Sequence, residues 1–106
     1  MKKIDELAKN AFINKKKFKL KNTKVEIIRD LPHLYLHDNL IAKMDEYGDL
    51  LINHCGWETV TTKSRLNALP DVNIKLSKGK FYLNKMEHME EEWININRLY
   101  ERQNSR

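Results

Sequence analysis

Cysteine, proline and glycine are all scarce in this chain, and each scarcity closes off a class of protein. Cys55 is the single cysteine, so no disulfide can form within the chain and a cysteine-ligated zinc cluster is excluded. Two prolines and three glycines are too few for a low-complexity or disordered composition. Apolar runs stay well short of the roughly 18 residues that read as a membrane span. The opening "MKKIDELAKNAF" carries Asp5 and Glu6 and has no apolar centre behind its lysines, unlike a secretory signal. An intracellular protein with no membrane association is expected. No internal repeat is found.

What is present is charge. Charged residues make up 33% of the 106 positions and hydrophobic residues 41%. That supports one modest core and one domain, residues 1–106. The charge is unevenly placed. Residues 1–24 hold nine lysines against Asp5 and Glu6, a net of +7, while the remainder carries −2. Such a segment attracts polyanions through phosphate contacts and counterion release. The bland alternative is a solvated lysine-rich segment that only keeps the protein soluble. The expected division is a basic N-terminal helix or arm (1–24), a core (25–97) and a polar tail (98–106).

Periodicity supplies the elements. Ile4, Leu7, Ala8, Ala11 and Phe12 form one apolar stripe and predict a helix over 2–13. Phe18 and Leu20 share one side of an extended segment, and "KVEII" (24–28) reads as a strand closed by Leu31-Pro32. His33–His37, Leu40–Met44 and Leu50–Cys55 read as three strands of an antiparallel meander, joined by Asp38-Asn39 and by "DEYGD" with Gly48 at positive φ. Thr61 or Thr62 caps a short helix at about 62–69, which Pro70 stops. "VNIKL" and "KFYLN" read as a further β-hairpin around Ser-Lys-Gly. "MEHMEEEW" reads as a loop or helical turn, and "WININRL" as a last strand or the start of a helix. The fold class is α+β.

The most organised stretch is "GWETVTTKSRLNAL" (56–69). A helix start presents free N–H groups, and Thr61, Thr62, Lys63 and Arg65 stand beside this one, so a phosphate site is physically sensible. Thr-capped helices with basic residues are also ordinary architecture. Trp57 reads first as a lid on the core and second as a base-stacking ring. His33, His37 and His54 lack metal-ligand spacing, and Cys55 beside His54 in one strand points away from it. Glu87, Glu90, Glu91 and Glu92 form an acidic cluster without an organising partner, either solvated or set against the lysines. Phosphate-cradling glycine loops, nucleophile elbows and dinucleotide fingerprints are lacking. No cofactor or metal is expected.

The stretch "LYLHDNLIAKMDEYGDLLINHCGWETVTTKSRLNAL" resembles a pattern in small proteins of tailed bacteriophages: "LIA", then GW-x-T-x-TT-x-x-RLN, a segment like "KFYLN" and an end like "EEW". The resemblance covers about 34–97 and is most specific over 56–69. Asp38 stands where a turn glycine is common. It implies a setting, a phage accessory protein in the host bacterial cytoplasm, and carries over no catalytic residues.

Three expectations follow in order. The first is a non-enzymatic protein that binds DNA or RNA through Lys15, Lys16, Lys17, Lys19 and Lys21, together with Lys63, Arg65, Thr61 and Thr62. The second is an inhibitor or adaptor that binds a host or anti-phage defence protein, or pairs as a homodimer, through Tyr35, Tyr47, Trp57, Tyr82 and Trp93, since aromatics anchor interfaces. The third is an enzyme using His33, His37 or Glu58.

Overall fold

The structure is a computed structural model that describes residues 3–83 and 87–99. Its order is α1 (Lys3–Ile13), β1 (Phe18–Leu20), β2 (Thr23–Ile28), β3 (Leu31–Leu36), β4 (Asn39–Met44), β5 (Leu50–Ile52), α2 (Val60–Asn67), β6 (Ile74–Ser77), β7 (Lys80–Leu83), β8 (Glu87–His88) and β9 (Ile94–Asn95). One sheet runs β1-β2-β3-β4-β5-β9 and a smaller one β6-β7-β8, with neighbours antiparallel throughout. The architecture is α+β, with the expected N-terminal helix, meander, short helix and hairpin. Residues 100–106, most of the expected tail, lie outside the described residues.

Strand alternation gives the large sheet two different faces. Val25, Leu34, Leu36, Ala42 and Ile52 are buried on one face, where α1 packs on β1, β2 and β3. Phe12 of α1, Leu66 of α2 and Phe81 of β7 complete this core. On the other face Lys24, Glu26, His33, Tyr35, Lys43 and Leu51 are only half-buried.

The lysine-rich segment is not a free arm. Ala8, Ala11 and Phe12 are buried in the core, and Phe18 packs against it. α1 ends where Lys15 takes φ 54°. Lys16 N–H then bonds Ala11 O at 2.8 Å and Lys15 N–H bonds Phe12 O at 3.3 Å, the paired bonds of a left-handed helix stop that usually holds glycine. Leu7 is exposed while Asp5 is buried, so the buried stripe is turned from the purely apolar one.

The scarcity of glycine is met in an unexpected way. Among the described residues, nine non-glycine positions take positive φ. Arg29-Asp30 and His37-Asp38 supply two of the two-residue turns, both residues left-handed in each. That geometry matches the right-handed twist of the flanking strands. These turns correct two expectations. Pro32 lies inside β3, opposite Ile27, not at a break. The neighbouring pair Ile28–Leu31 closes the hairpin, so the Pro32 nitrogen faces away from β2. Pairing of β3 with β4 starts only at His33–Lys43, so proline removes no ladder bond. The second turn is His37-Asp38, one residue earlier than Asp38-Asn39, and Asn39 opens β4. Local sequence allowed either, since Asp and Asn both tolerate left-handed backbone.

Further differences concern short elements. β5 ends at Ile52, and His54 and Cys55 belong to a turn. α2 begins at Val60, capped by Thr59, whose hydroxyl accepts from Thr62 N–H at 3.2 Å; neither Thr61 nor Thr62 is the cap. Glu87–His88 is a strand edge on β7, not a loop or helical turn. "WININRL" forms strand β9 and then a helical turn over 96–99. Asn95 caps that turn by accepting from Arg98 N–H at 2.9 Å. The described helices include none long and apolar enough to cross a membrane.

Candidate functional site

Most of "GWETVTTKSRLNAL" is spent on architecture. Asn67 clamps β6 with both ends of its amide: it donates to Ile74 O at 3.0 Å and accepts from Ile74 N–H at 2.8 Å. Glu58 accepts from Phe81 N–H at 2.7 Å, which ties the loop to β7. Leu66 and Leu69 enter the core. Thr62 is buried, with its hydroxyl 3.1 Å from that of Thr59.

Arg65 is 6% exposed and forms an ion pair with Asp5, itself 1% exposed. Ser64 also donates to the Asp5 carboxylate. The remaining guanidinium Nε donates to Thr23 Oγ1 at 2.9 Å. Thr23 in turn donates to Asn22 Oδ1 at 2.9 Å, and Asn22 Nδ2 lies 3.3 Å from His37 Nε2. A polar chain thus runs from α1 through α2 and β2 to the turn at His37. A buried guanidinium stays charged and needs this partner. The phosphate grip expected of Arg65 and Thr62 is therefore corrected: both groups already bond within the protein. Thr61 and Lys63 are half-buried and stay available on that helix.

The remaining lysines stand along the edge strand. Lys16, Lys17, Lys19 and Lys21 are exposed, and among the described residues none of them forms an ion pair. Lys15 reaches Asp30 at 3.5 Å and Lys24 reaches Asp38 at 3.7 Å, with both acids exposed. Such exposed pairs contribute little. Lys19 lies directly across from Lys24, a like-charge pair that disfavours the sheet slightly. Lys24 also lies over the Tyr35 ring at 5.1 Å, and Lys43, on the same face, over the Trp93 ring at 4.6 Å. The half-buried face thus joins lysines to aromatic rings.

The other aromatics scatter. Tyr47 is 81% exposed at the β4–β5 tip, and Tyr82 is half-buried beside the His88 ring. Trp57 is 56% exposed and does not cover the core. Its loop is nevertheless fixed. β3 and β4 slip register at Leu34/Tyr35, leaving Ile41 as an extra, buried residue. Asn53 N–H bonds Ile41 O at 2.9 Å, and the Cys55 thiol donates to Leu40 O at 3.2 Å. Buried His54 accepts from Gly56 N–H on Nδ1 and donates from Nε2 to Met89 O, each at 3.0 Å. Those partners set a neutral tautomer with the proton on Nε2. Cys55 and Gly56 take φ 55° and 80°, and Trp57 N–H closes the turn on His54 O at 2.9 Å. Burial, and then the negative charge of Glu91, push the Cys55 thiol above its ordinary value of 9.0.

The expected enzyme constellations are not brought together. Glu58 faces β7 and His88, with His33 on the large sheet and His37 bonded toward Asn22. No described group of three His, Cys, Asp or Glu side chains is placed to hold a metal. Glu90 lies 3.2 Å from His88 Nδ1, and the described ion pairs join none of the acidic cluster to the N-terminal lysines. The Glu87 side chain lies outside the described residues.

What sequence reasoning missed is a cavity of about 510 Å³ between the β3–β4 turn and the start of α2. Buried Leu36, Ile41 and Thr62 line it, together with the more exposed His37, Asn39, Trp57, Thr59 and Thr61. Its only local signal was the unusual company of Trp57 and the threonines.

Comparison with known proteins places the chain beside a phage protein family. The family model described as Kyanoviridae Gp96 protein matches residues 1–100, a span that takes in the lysine-rich segment as well as the later motif. No curated protein and no solved structure matches the chain.

Proposed function

The chain belongs to the Kyanoviridae Gp96 protein family, a family of tailed-phage proteins, and from that premise we propose that it is a non-enzymatic accessory protein that binds single-stranded nucleic acid in the host cytoplasm. The observation that carries the proposal is the row Lys19–Lys24–Tyr35 across β1, β2 and β3. Lys19 on β1, without an ion pair among the described residues, attracts phosphate, and the Tyr35 ring on the same face stacks a base. A sheet face of this kind suits an unpaired strand, whose bases are free to splay, better than a duplex. Lys16, Lys17 and Lys21 extend the charge along the same edge, and Lys43 with Trp93 continues the pattern across the sheet.

The test is an anisotropy titration of labelled single-stranded DNA, single-stranded RNA and duplex DNA, at low and near-physiological salt. The expected result is single-strand binding tighter than duplex binding. It weakens several-fold or more in a K16Q/K17Q/K19Q/K21Q variant of unchanged stability. Equal binding by the variant, or none by the wild type, would sink the proposal.

The second expectation, a protein partner, has one specific observation in its favour: Trp57 and Val60 are both more than half exposed at the start of α2. Exposed aromatics anchor interfaces. Recovery of a host protein by the wild type, lost in W57A and insensitive to nuclease, would favour that alternative.

A further inference from the structure

Trp57 poses a problem that the lysine edge does not answer. A tryptophan half in water forgoes much of the burial its large ring offers. The ring is not out by slackness, because its loop is tied to the β4 bulge, to His54 and through His54 to Met89. Cys55 accepts a left-handed backbone in that turn, a conformation that disfavours any residue with a Cβ. The fold therefore fixes the backbone that carries the indole beside an open cavity, and such preorganisation favours binding.

The chemistry around the cavity selects an occupant. The volume, about 510 Å³, falls within the usual span for a small-molecule site. Leu36 and Ile41 offer an apolar lining, and the indole offers a stacking face. Asn39 brings an amide with both donors and an acceptor, and Thr61 brings a hydroxyl. Neither side chain makes a hydrogen bond among the described residues. An aliphatic anchor from a protein partner would strip water from these polar groups and leave them unpaired, which is costly. A heteroaromatic ring with polar edges satisfies them while it stacks.

The surroundings lead to the lysine edge. His37 in the lining is held by Asn22, both through its ring and through the 2.8 Å bond from its backbone N–H to Asn22 O. Lys21 is the residue before Asn22, in the turn that ends β1. Lys21 is thus the cation next to the residue that holds His37.

We infer that the cavity beside Trp57 is a site for one unstacked nucleobase, stacked on the indole and read at its edge by Asn39 and Thr61. The inference rests on the single-strand reading for its larger ligand, while the base chemistry is common to a strand and to a free nucleotide. The polar chain Asp5–Arg65–Thr23–Asn22 serves as support for His37, which is positioned by it.

The test is nuclear magnetic resonance of the full chain. Two tryptophans give two indole N–H signals, and W57F assigns them. One arm adds each of the common nucleoside monophosphates; the other adds short single-stranded oligonucleotides. The expected result is movement of the Trp57 indole and Asn39 amide signals in both arms. Base binding should weaken about tenfold or more in W57A, as loss of one stacking partner implies, and less in N39A and T61V. Movement with free nucleotides alone would support the pocket and overturn the strand reading. Oligonucleotide binding that moves Lys19 and Lys24 but leaves Trp57 and Asn39 still would overturn the pocket and leave the strand reading standing. Silence of both signals in both arms, with a folded spectrum, would overturn the pocket outright.

Discussion

Two stretches of this chain set basic residues beside polar ones, and folding uses them in opposite ways. In 59–67 Arg65 turns inward, to Asp5, Ser64 and Thr23. In 15–24 Lys16, Lys17, Lys19 and Lys21 turn outward along an edge strand, and among the described residues Lys24 has only the exposed Asp38 and a tyrosine ring. The difference is whether an acid waits on an element that packs against the base. Asp5 sits in the first turn of α1, where a carboxylate also suits the positive end of the helix dipole. A motif rich in hydroxyls and charge is thus a poor guide to function until its tertiary neighbours are known.

The inward half breaks most severely. D5A leaves Arg65 buried without a counter-charge and should cost about 3–5 kcal/mol, visible as a large drop in the urea midpoint. Replacing both partners, as D5L/R65L, should restore much of that loss, since apolar packing often substitutes for a buried pair. If D5A unfolds at the wild-type midpoint, the pair has no structural weight. N67A comes next. It strips the partner from Ile74 N–H and O, and an expected loss of about 1–3 kcal/mol is again read from urea unfolding.

Smaller effects sharpen the outward half. K15G relieves left-handed strain at the stop of α1 and should raise stability by about 1 kcal/mol. The same change removes one edge charge, so nucleic-acid affinity should fall while the melting point rises. An opposite pairing of those two signs would contradict the assigned geometry.

The smallest effect is at Cys55. Its folded-state thiol titrates above the ordinary value of 9.0. Below about 9 the thiol is protonated in both states and contributes no pH dependence. As pH rises past it, the unfolded chain releases the proton first, so stability falls with rising pH. That alkaline loss should be measurably less steep in C55A, by unfolding at a series of pH values.

How much of this was legible depends on the range of each interaction. The stripe at Ile4, Ala8, Ala11 and Phe12, the alternation in β2 to β4, and Gly48 are local signals, and they marked α1, the meander and its last turn. Pro32 misled because its effect depends on which side of β3 is paired. The turn at His37-Asp38 was placed one residue late because Asp and Asn both tolerate left-handed backbone, and nothing local marks the bulge at Ile41 beyond it. The burial of Asp5 has no local signal, since its partner Arg65 is 60 residues away. Trp57 looked like a lid because a ring that size is normally covered. The cavity beside it needs the β3–β4 turn and α2 together, and no local pattern joins residues 36–41 to 57–62.

The most direct measurement is the salt dependence of single-strand affinity for wild type, K19Q/K24Q and K63Q. Log affinity falls with log salt by about 0.7 per phosphate contact on single strands. If the outward edge grips phosphates, K19Q/K24Q should flatten the slope by roughly one to one and a half units, and K63Q, on the helix whose arginine turns inward, should leave it near wild type. A wild-type slope in K19Q/K24Q, or an equal flattening in K63Q, would contradict the account.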